Sequence, residues 1–379
     1  MTAPFPKGRT AFLVIHGIGE QVPFETLDSF ARGVIAYLQS RHIPFTMTHK
    51  LSERLGAKGS AWTESFVRLS DAAGKNYLDI HEYYWAYITE EQIKAREVYR
   101  WVAQALDGAM KYARQDEEIR KKYEGGAKPY WWRLLSILRW MRYWHWAIRL
   151  LLFLLPSWSM LDWLREKIEG LATNVIEGYI GDVAIYTTTD EKSRYYKIRQ
   201  EILLESQKLL ESLLVQKEYG EVLVAGHSLG SAIAYDTLNR LNIKANLRSG
   251  GSLSLKKLTS LVTFGSPLDK IAFFFREQSE EDQYIRSQII EHLNSFKAKP
   301  LDLQPGPVRL INTIENKLNH VKWINFYDDN DPVSGHLDFY VVDENIKLDL
   351  HRKWGLAHVA YWKDRTFYEE LFERLLNEY

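Results

Sequence analysis

The chain has 379 residues, of which 46% are hydrophobic and 26% charged, a composition typical of a folded globular protein. Its 49 basic residues balance its 49 acidic ones and no nucleic-acid-binding motif is present, so we expect no nucleic-acid partner. Cysteine is absent, which excludes disulfides and suits a reducing compartment. Residues 1–7 carry no apolar signal region, and we therefore expect a cytoplasmic location.

The hydrophobic pattern predicts an α/β fold with a mostly parallel sheet flanked by helices. Short apolar runs indicate buried strands, and the helical periodicity between them indicates crossover helices. Strands are predicted at 12–15, 77–85, 221–225, 258–264 and 321–327, one or two extended segments over 44–70, and helices at 25–40, 89–122, 193–215 and 231–241.

A glycine-flanked serine stands between a predicted strand and a predicted helix. Residues 226–230 read Gly-His-Ser-Leu-Gly, which is the pattern G-x-S-x-G. Glycine on either side permits a tight turn, and the serine then projects at the head of a helix, where backbone N–H groups stabilise negative charge. The pattern also fits an ordinary turn with an incidental serine, but the strand-turn-helix context makes Ser228 a candidate nucleophile.

A second glycine-rich turn, His16-Gly17-Ile18-Gly19, ends the first apolar run. It fits a turn that aims a backbone N–H at a substrate oxygen. A phosphate-binding loop is the alternative, but no G-x-x-x-x-G-K-[ST] pattern follows.

Together these motifs resemble the lipase and esterase branch of the α/β-hydrolase superfamily. Two later segments add to the resemblance: 264–268 (Phe-Gly-Ser-Pro-Leu) and 330–333 (Asn-Asp-Pro-Val). A weaker similarity connects the chain to the intracellular phospholipase A1 (DDHD) family through the His-Gly-Ile-Gly turn, Tyr-Tyr-Trp-Ala at 83–86 and Gly-Asp-Val at 181–183.

The resemblance implies a role for each part of a catalytic site. Ser228 would be the nucleophile, Asp331 the acid and His358 the base, in the order along the chain that this fold uses. The backbone N–H groups of Ile18 and Leu229 would form the oxyanion hole.

Several alternatives stay open at this point. Asp328 and Asp329 compete with Asp331, since acidic residues in such turns often bond only the local backbone. His336 and His351 compete with His358 as the base. The residues expected to line the substrate site are His16, Gly17, His227, Ser266 and Pro267.

The middle of the chain differs from the rest in composition. Between Glu124 and Asp162 there is no acidic residue, while arginine and tryptophan alternate. We predict an α/β-hydrolase core of residues 1–86 and 182–379 and a helical Trp/Arg-rich insert of residues 87–181. Residues 128–161 have the amphipathic character of a membrane-contacting lid, although a simple cap on the core fits the same pattern.

The sequence therefore predicts a serine carboxylic-ester hydrolase, a lipase or esterase with phospholipids among its candidate substrates. We expect it to act on an acyl ester or lipid at a membrane surface, with peripheral attachment, no cofactor and no metal. A soluble esterase or thioesterase is the first alternative, and a non-catalytic membrane-binding or scaffold protein of the same fold is the second. The oligomeric state is not predicted.

Overall fold

The computed structural model describes residues 5–17, 22–55, 61–89, 194–247, 254–274, 283–299, 308–331, 333–351 and 356–376. The Trp/Arg-rich segment 128–161, Ile18 and all but the first residue of the helix predicted at 89–122 lie outside these ranges. The division into a core and an insert of residues 87–181 consequently stays a prediction.

The described residues form one eight-stranded sheet in the order β2-β3-β4-β1-β5-β6-β7-β8. Neighbouring strands from β4 to β8 run parallel, whereas β2 pairs with β3 and β3 with β4 in antiparallel fashion. The strands are β1 Arg9–Ile15, β2 Thr46–Leu55, β3 Ala61–Ser70, β4 Tyr77–Tyr83, β5 Glu221–His227, β6 Leu258–Phe264, β7 Lys322–Tyr327 and β8 Glu344–Lys347.

Helices cover both faces of this sheet. Because side chains alternate along a strand, Leu13 of β1 packs toward α3 and α4 while Phe12 packs toward α1 and α7. Burial on both faces explains why the central strands are continuous apolar runs. The helices are α1 Glu25–Ser40, α2 Ala86–Thr89, α3 Arg194–Val215, α4 Leu229–Asn246, α5 Leu268–Phe274, α6 Tyr284–Leu293 and α7 Arg365–Leu376.

The structure confirms the mostly parallel, helix-flanked sheet that the sequence predicts. Helix α1 matches its predicted bounds, and α3 begins one residue later than predicted. The pattern does not predict β8, α5 or α6, and it does not distinguish the antiparallel strands β2 and β3 from parallel ones. Among the helices that the structure describes, none combines the length and the hydropathy that a membrane span requires.

The carboxyl ends of the central strands lie side by side at one edge of the sheet. Ile15 of β1 is opposite Gly226 of β5, and Phe264 of β6 lies between His227 of β5 and Phe326 of β7. The turns that follow these strands therefore meet, as expected for the ligand-binding edge of a parallel α/β sheet.

Candidate active site

Ser228 occupies a strained turn between β5 and α4. Its backbone has φ 53° and ψ −128°, a conformation that is costly for a residue with a side chain. The turn is held by two backbone hydrogen bonds, from the Ser228 N–H to the Phe264 carbonyl (3.1 Å) and from the Ser231 N–H to the Ser228 carbonyl (2.9 Å). The strain is thus imposed by β6 and by the first turn of α4.

Two close backbone approaches leave room for this turn. A Cβ on Gly226 would lie 2.4 Å from the carbonyl oxygen of Gly230, and a Cβ on Gly230 would lie 2.3 Å from the carbonyl oxygen of Ile15, which explains why both flanking positions of the motif are glycine. A Cβ on Gly17 would lie 2.6 Å from the Cβ of Ser228. The turn after β1 and the turn after β5 are therefore in van der Waals contact.

His358 lies between the serine and a carboxylate. It belongs to the 3-10 helix Leu356–Val359, and its Nε2 is 3.0 Å from the Oγ of Ser228. Its Nδ1 is 3.0 Å from each carboxylate oxygen of Asp331. Because an ionised carboxylate can only accept, Nδ1 carries the hydrogen and Nε2 accepts from the serine hydroxyl. This tautomer is the one that a general base requires.

Asp331 is buried and ionised. Apart from His358, its carboxylate accepts the N–H of Val333 (2.8 Å) and the hydroxyl of Tyr361 (3.0 Å). Burial acts to raise the pKa of Asp331, but the hydrogen bond and charge of His358, the Val333 N–H and the charge of Lys270 outweigh it and hold the pKa well below its usual range.

The two rival acids face elsewhere. Asp328 is buried, and its carboxylate oxygens accept the backbone N–H groups of Asn330 (2.6 Å) and Leu350 (2.7 Å). Asp329 is exposed and pairs with Lys347 at 2.5 Å. Both carboxylates therefore stabilise local structure rather than the imidazole of His358.

The rival bases pair with other carboxylates. His336 is about half exposed and pairs with Asp338 at 3.0 Å. His351 is exposed and pairs with its near neighbour Asp349 at 3.2 Å. Of the sequence-predicted acid, base and nucleophile candidates, the structure brings together Ser228, His358 and Asp331.

His227 supports the base from the other side. Its Nε2 donates to the backbone carbonyl of His358 at 2.8 Å, and the two ring centroids are 4.8 Å apart. Burial, with the proximity of His358, lowers the pKa of His227 to about 3, so the ring is neutral near physiological pH.

His16 supports the turn after β1. Its Nδ1 donates to the Gly17 carbonyl (2.7 Å) and its Nε2 accepts the backbone N–H of Trp85 (3.0 Å). Burial lowers the pKa of His16 to about 4, partly offset by the bond to Gly17. Substrate contact by His16, Gly17 and His227 stays a prediction.

Ser266 and Pro267 lie at the carboxyl end of β6, where α5 begins. Both are buried; the Oγ of Ser266 is 3.4 Å from the N–H of Leu268, and the Pro267 carbonyl accepts the N–H of Ile271 at 2.8 Å. Their position next to the nucleophile turn agrees with the predicted substrate site, and substrate contact again stays a prediction.

Of the two predicted oxyanion donors, only Leu229 lies within the described ranges. It is the first residue of α4, an 18-residue helix whose amino-terminal end carries partial positive charge. Ile18 lies outside the described residues, and its role stays a prediction.

Two residues close to Asp331 are not predicted from the sequence. Tyr361 bonds its carboxylate directly, and the only sequence signal for this is its position three residues after His358. Lys270 of α5 donates its Nζ to the Ser334 carbonyl at 2.9 Å; burial lowers the pKa of this amine to about 7, against the opposing charges of Asp331 and Asp269. Nothing in the sequence distinguishes Lys270 from a surface lysine.

No metal-binding cluster is found in the part of the chain that the structure describes, where no group of three or more His, Asp or Glu side chains is arranged to hold an ion.

The fold and the serine turn together define the α/β-hydrolase class, a mostly parallel sheet with a strained serine between a central strand and a helix. Residues 167–279 match the family Lipase (class 3), which fits the lipase-like part of this superfamily and supports a lipase-type ester hydrolase in general. No curated protein sequence matches the chain significantly. The matched segment contains Ser228 and ends before Asp331 and His358.

Proposed function

We propose that the protein hydrolyses carboxylic esters through Ser228, His358 and Asp331. The observation that carries the proposal is the unbroken hydrogen-bond path from the Ser228 hydroxyl through His358 to Asp331, with each donor-acceptor distance at 3.0 Å. A strained serine at the head of a helix adds to this support, because it holds the hydroxyl at the edge of the sheet where parallel α/β folds bind ligands.

The first half-reaction forms an acyl-enzyme. The Ser228 oxygen attacks the ester carbonyl carbon while the Nε2 of His358 takes the hydroxyl proton. Asp331 stabilises the resulting imidazolium through Nδ1. The backbone N–H of Leu229 stabilises the negative charge on the former carbonyl oxygen, and the N–H of Ile18 is the second donor. Each of these hydrogen bonds contributes about two to three orders of magnitude in rate.

The second half-reaction releases the acid. The imidazolium first gives its proton to the departing alcohol oxygen as the carbon-oxygen bond breaks. A water molecule then replaces the alcohol, loses a proton to Nε2 of His358 and attacks the acyl carbon. Ser228 recovers its proton when the carboxylic acid leaves, so the site returns to its starting state.

The lipase-type assignment favours a substrate with a long acyl chain, including phospholipids, over a small polar ester or thioester. A non-catalytic scaffold is disfavoured because a strained serine and an ionised, buried carboxylate are costly to keep in a site without chemistry.

The reaction is tested by covalent labelling of the serine. A fluorophosphonate probe should label the wild-type protein, because the site activates one hydroxyl, and should not label Ser228→Ala. Ser260→Ala is the matched control, since Ser260 is a buried serine on the neighbouring strand β6 and its loss should leave labelling intact. Equal labelling of wild type and Ser228→Ala would place the nucleophile elsewhere.

Attachment to a membrane surface is the second part of the proposal, and it rests on sequence. Residues 128–161 combine arginine and tryptophan without an acidic residue. Each basic residue near an anionic lipid surface contributes about 1 kcal/mol to binding, so replacing Arg139, Arg142 and Arg149 with Glu should weaken binding to anionic liposomes by about two orders of magnitude.

Co-sedimentation measures that binding, and turnover of a short soluble p-nitrophenyl ester serves as the internal reference. The control variant reverses the charge of Arg32, Arg41 and Arg365, three exposed arginines on or next to α1 and α7. Unchanged liposome binding of the Arg139/Arg142/Arg149 variant would end the membrane-lid idea and favour the soluble esterase.

A further inference from the structure

Tyr361 is a buried side chain in contact with Asp331, the proposed acid. It begins the 3-10 helix Tyr361–Lys363 and has no exposed surface. Its ring packs against Phe264 (centroid distance 5.9 Å), Phe367 (6.2 Å) and His227 (6.1 Å). The ring is therefore held in one orientation, and its hydroxyl has a fixed direction.

The hydrogen on that hydroxyl can be assigned from its partners. The Oη of Tyr361 is 3.0 Å from Oδ2 of Asp331 and 3.1 Å from Oγ of Ser334. The Asp331 carboxylate can only accept, so Tyr361 donates to it. Tyr361 has a single hydroxyl hydrogen, so Ser334 must be the donor in the second contact.

The same line of contacts continues into α5. The carbonyl of Ser334 accepts the Nζ of Lys270 at 2.9 Å, and the charge of Lys270 also acts on Asp331. Ser334 also contacts the Asp328 carbonyl, at the longer distance of 3.5 Å. Tyr361 thus donates to Asp331 and receives the hydrogen of Ser334. The backbone of Ser334 is in turn held by Lys270, which links the turn after Asp331 to α5.

We propose that Tyr361 is a positioning residue that fixes the rotation of the Asp331 carboxylate and tunes its charge for His358. This inference rests on the proposed ester hydrolysis. A donor on Oδ2 and the Val333 N–H on Oδ1 hold the carboxylate plane so that both oxygens stay 3.0 Å from Nδ1 of His358. The donated hydrogen also draws negative charge away from the side facing the imidazole.

Other titratable groups surround this pair and must be accounted for in a pH experiment. Lys270 acts on Asp331 from α5, Asp328 acts on Tyr361 from the acid turn, and His227 lies against His358. His227 is neutral near physiological pH because its pKa is lowered to about 3. Burial lowers the pKa of Lys270 to about 7, so this amine titrates near neutrality in the wild type and in the variants. The shift of the acid limb is therefore measured as the difference between variants that all keep Lys270.

Tyr361→Phe is the direct test because it keeps the packed ring and removes only the hydroxyl. We expect kcat to fall by about tenfold, in line with loss of one charge-assisted hydrogen bond, and KM to stay within about twofold. The acid limb of the kcat/KM profile should move to higher pH by about half a unit to one unit, because the carboxylate regains negative charge and better stabilises the imidazolium.

Tyr368→Phe is the matched control. Tyr368 is also buried, and among the described residues its hydroxyl contacts the backbone carbonyls of Trp362 (3.3 Å) and Ser29 (3.5 Å). The same hydroxyl deletion there should lower Tm without moving kcat or the acid limb. Ser334→Ala removes the donor to Tyr361, so it should shift the acid limb in the same direction by a smaller amount.

The outcomes separate this inference from the proposed reaction. An inactive wild type, or an active Ser228→Ala, contradicts the reaction itself. An active wild type whose acid limb is the same in Tyr361→Phe and Tyr368→Phe overturns the role of Tyr361. If Tyr361→Phe does not fold, an unmoved acid limb in Ser334→Ala overturns that role instead.

Discussion

Two histidines in the described part of the chain each lie between a carboxylate and a hydroxyl. The site relay consists of Asp331, His358 and Ser228, with distances of 3.0 Å on both sides of the ring. The sheet relay consists of Glu64, His81 and Tyr219, with 3.0 Å from Nδ1 to the carboxylate and 3.1 Å from Nε2 to the hydroxyl. Distances alone do not distinguish the two.

The positions of the hydrogens do distinguish them. The hydroxyl of Tyr219 is 2.8 Å from Oδ2 of Asp79, and a carboxylate can only accept, so Tyr219 donates to Asp79. Nε2 of His81 must then donate to Tyr219, while Nδ1 donates to Glu64. With both carboxylates ionised, His81 carries two ring hydrogens and cannot take a proton, whereas Nε2 of His358 accepts one from Ser228.

The two relays also differ in position. His81 lies in the middle of β4 with no exposed surface and stacks on Phe66 at 4.4 Å. The Asp79 that completes the sheet relay is held by two 2.7 Å bonds from Arg68. His358 retains 13% side-chain exposure at the carboxyl edge of the sheet. A histidine can therefore act as a base when one ring nitrogen is free to accept a proton and lies at the accessible edge of the sheet. Hydrogen bonds to a carboxylate and a hydroxyl do not by themselves make it a base.

The largest expected effect comes from exchanging the two histidines for glutamine. His358→Gln removes the base and should lower kcat by about five orders of magnitude with little change in Tm. His81→Gln leaves Glu64 and Tyr219 without the charged ring, and should lower the free energy of unfolding by about 3 kcal/mol. Its kcat per folded molecule should stay within about twofold.

Ester turnover and urea unfolding of both variants measure these two separate effects, on kcat and on stability. Active-site titration with the fluorophosphonate probe corrects the kcat of His81→Gln, which keeps the activated serine, for its folded fraction. A loss of activity in His81→Gln that survives this correction would mean that the sheet relay takes part in the reaction.

A smaller loss of kcat is expected when Asp331, the proposed acid, is replaced. Asp331→Asn presents an amide to Nδ1 and favours the wrong imidazole tautomer, which should lower kcat by about four orders of magnitude. Asp328→Asn changes a neighbouring carboxylate that accepts the N–H groups of Asn330 and Leu350, and should lower kcat by less than about tenfold.

The ratio of the two rates, measured with one soluble ester at one pH, is the informative quantity. The reverse ranking would assign the acid to Asp328. Such a result would also weaken the argument from Tyr361, whose hydroxyl bonds Asp331.

The sequence predicts those parts of the structure that depend on residues close together along the chain. A buried strand, a glycine-flanked serine and a following helix are neighbours along the chain, so the turn at Ser228 can be predicted without coordinates. The choice among Asp328, Asp329 and Asp331 depends on which carboxylate faces the ring of His358. The sequence of the turn does not make that choice, and Asp331 is predicted only from the resemblance to lipases.

The remaining features arise from pairings between distant residues. The sheet relay exists because antiparallel β3 brings Arg68 opposite Asp79 of β4, a register that alternation alone does not predict. Lys270 near Asp331 depends on how α5 packs after β6. Strand β8 is short and only partly buried, with the sequence Glu-Asn-Ile-Lys, so it carries no apolar run that would reveal it.

The contact between Gly17 and Ser228 couples the proposed nucleophile to the amino-terminal strand, 211 positions earlier along the chain. If β1 slipped along β5, a residue with a side chain would occupy the space next to the serine, and the strained turn would lose its fit. A half-assembled sheet therefore does not hold the proposed nucleophile in place. Ser228 fits its strained turn only when β1 and β5, which are distant along the chain, have paired.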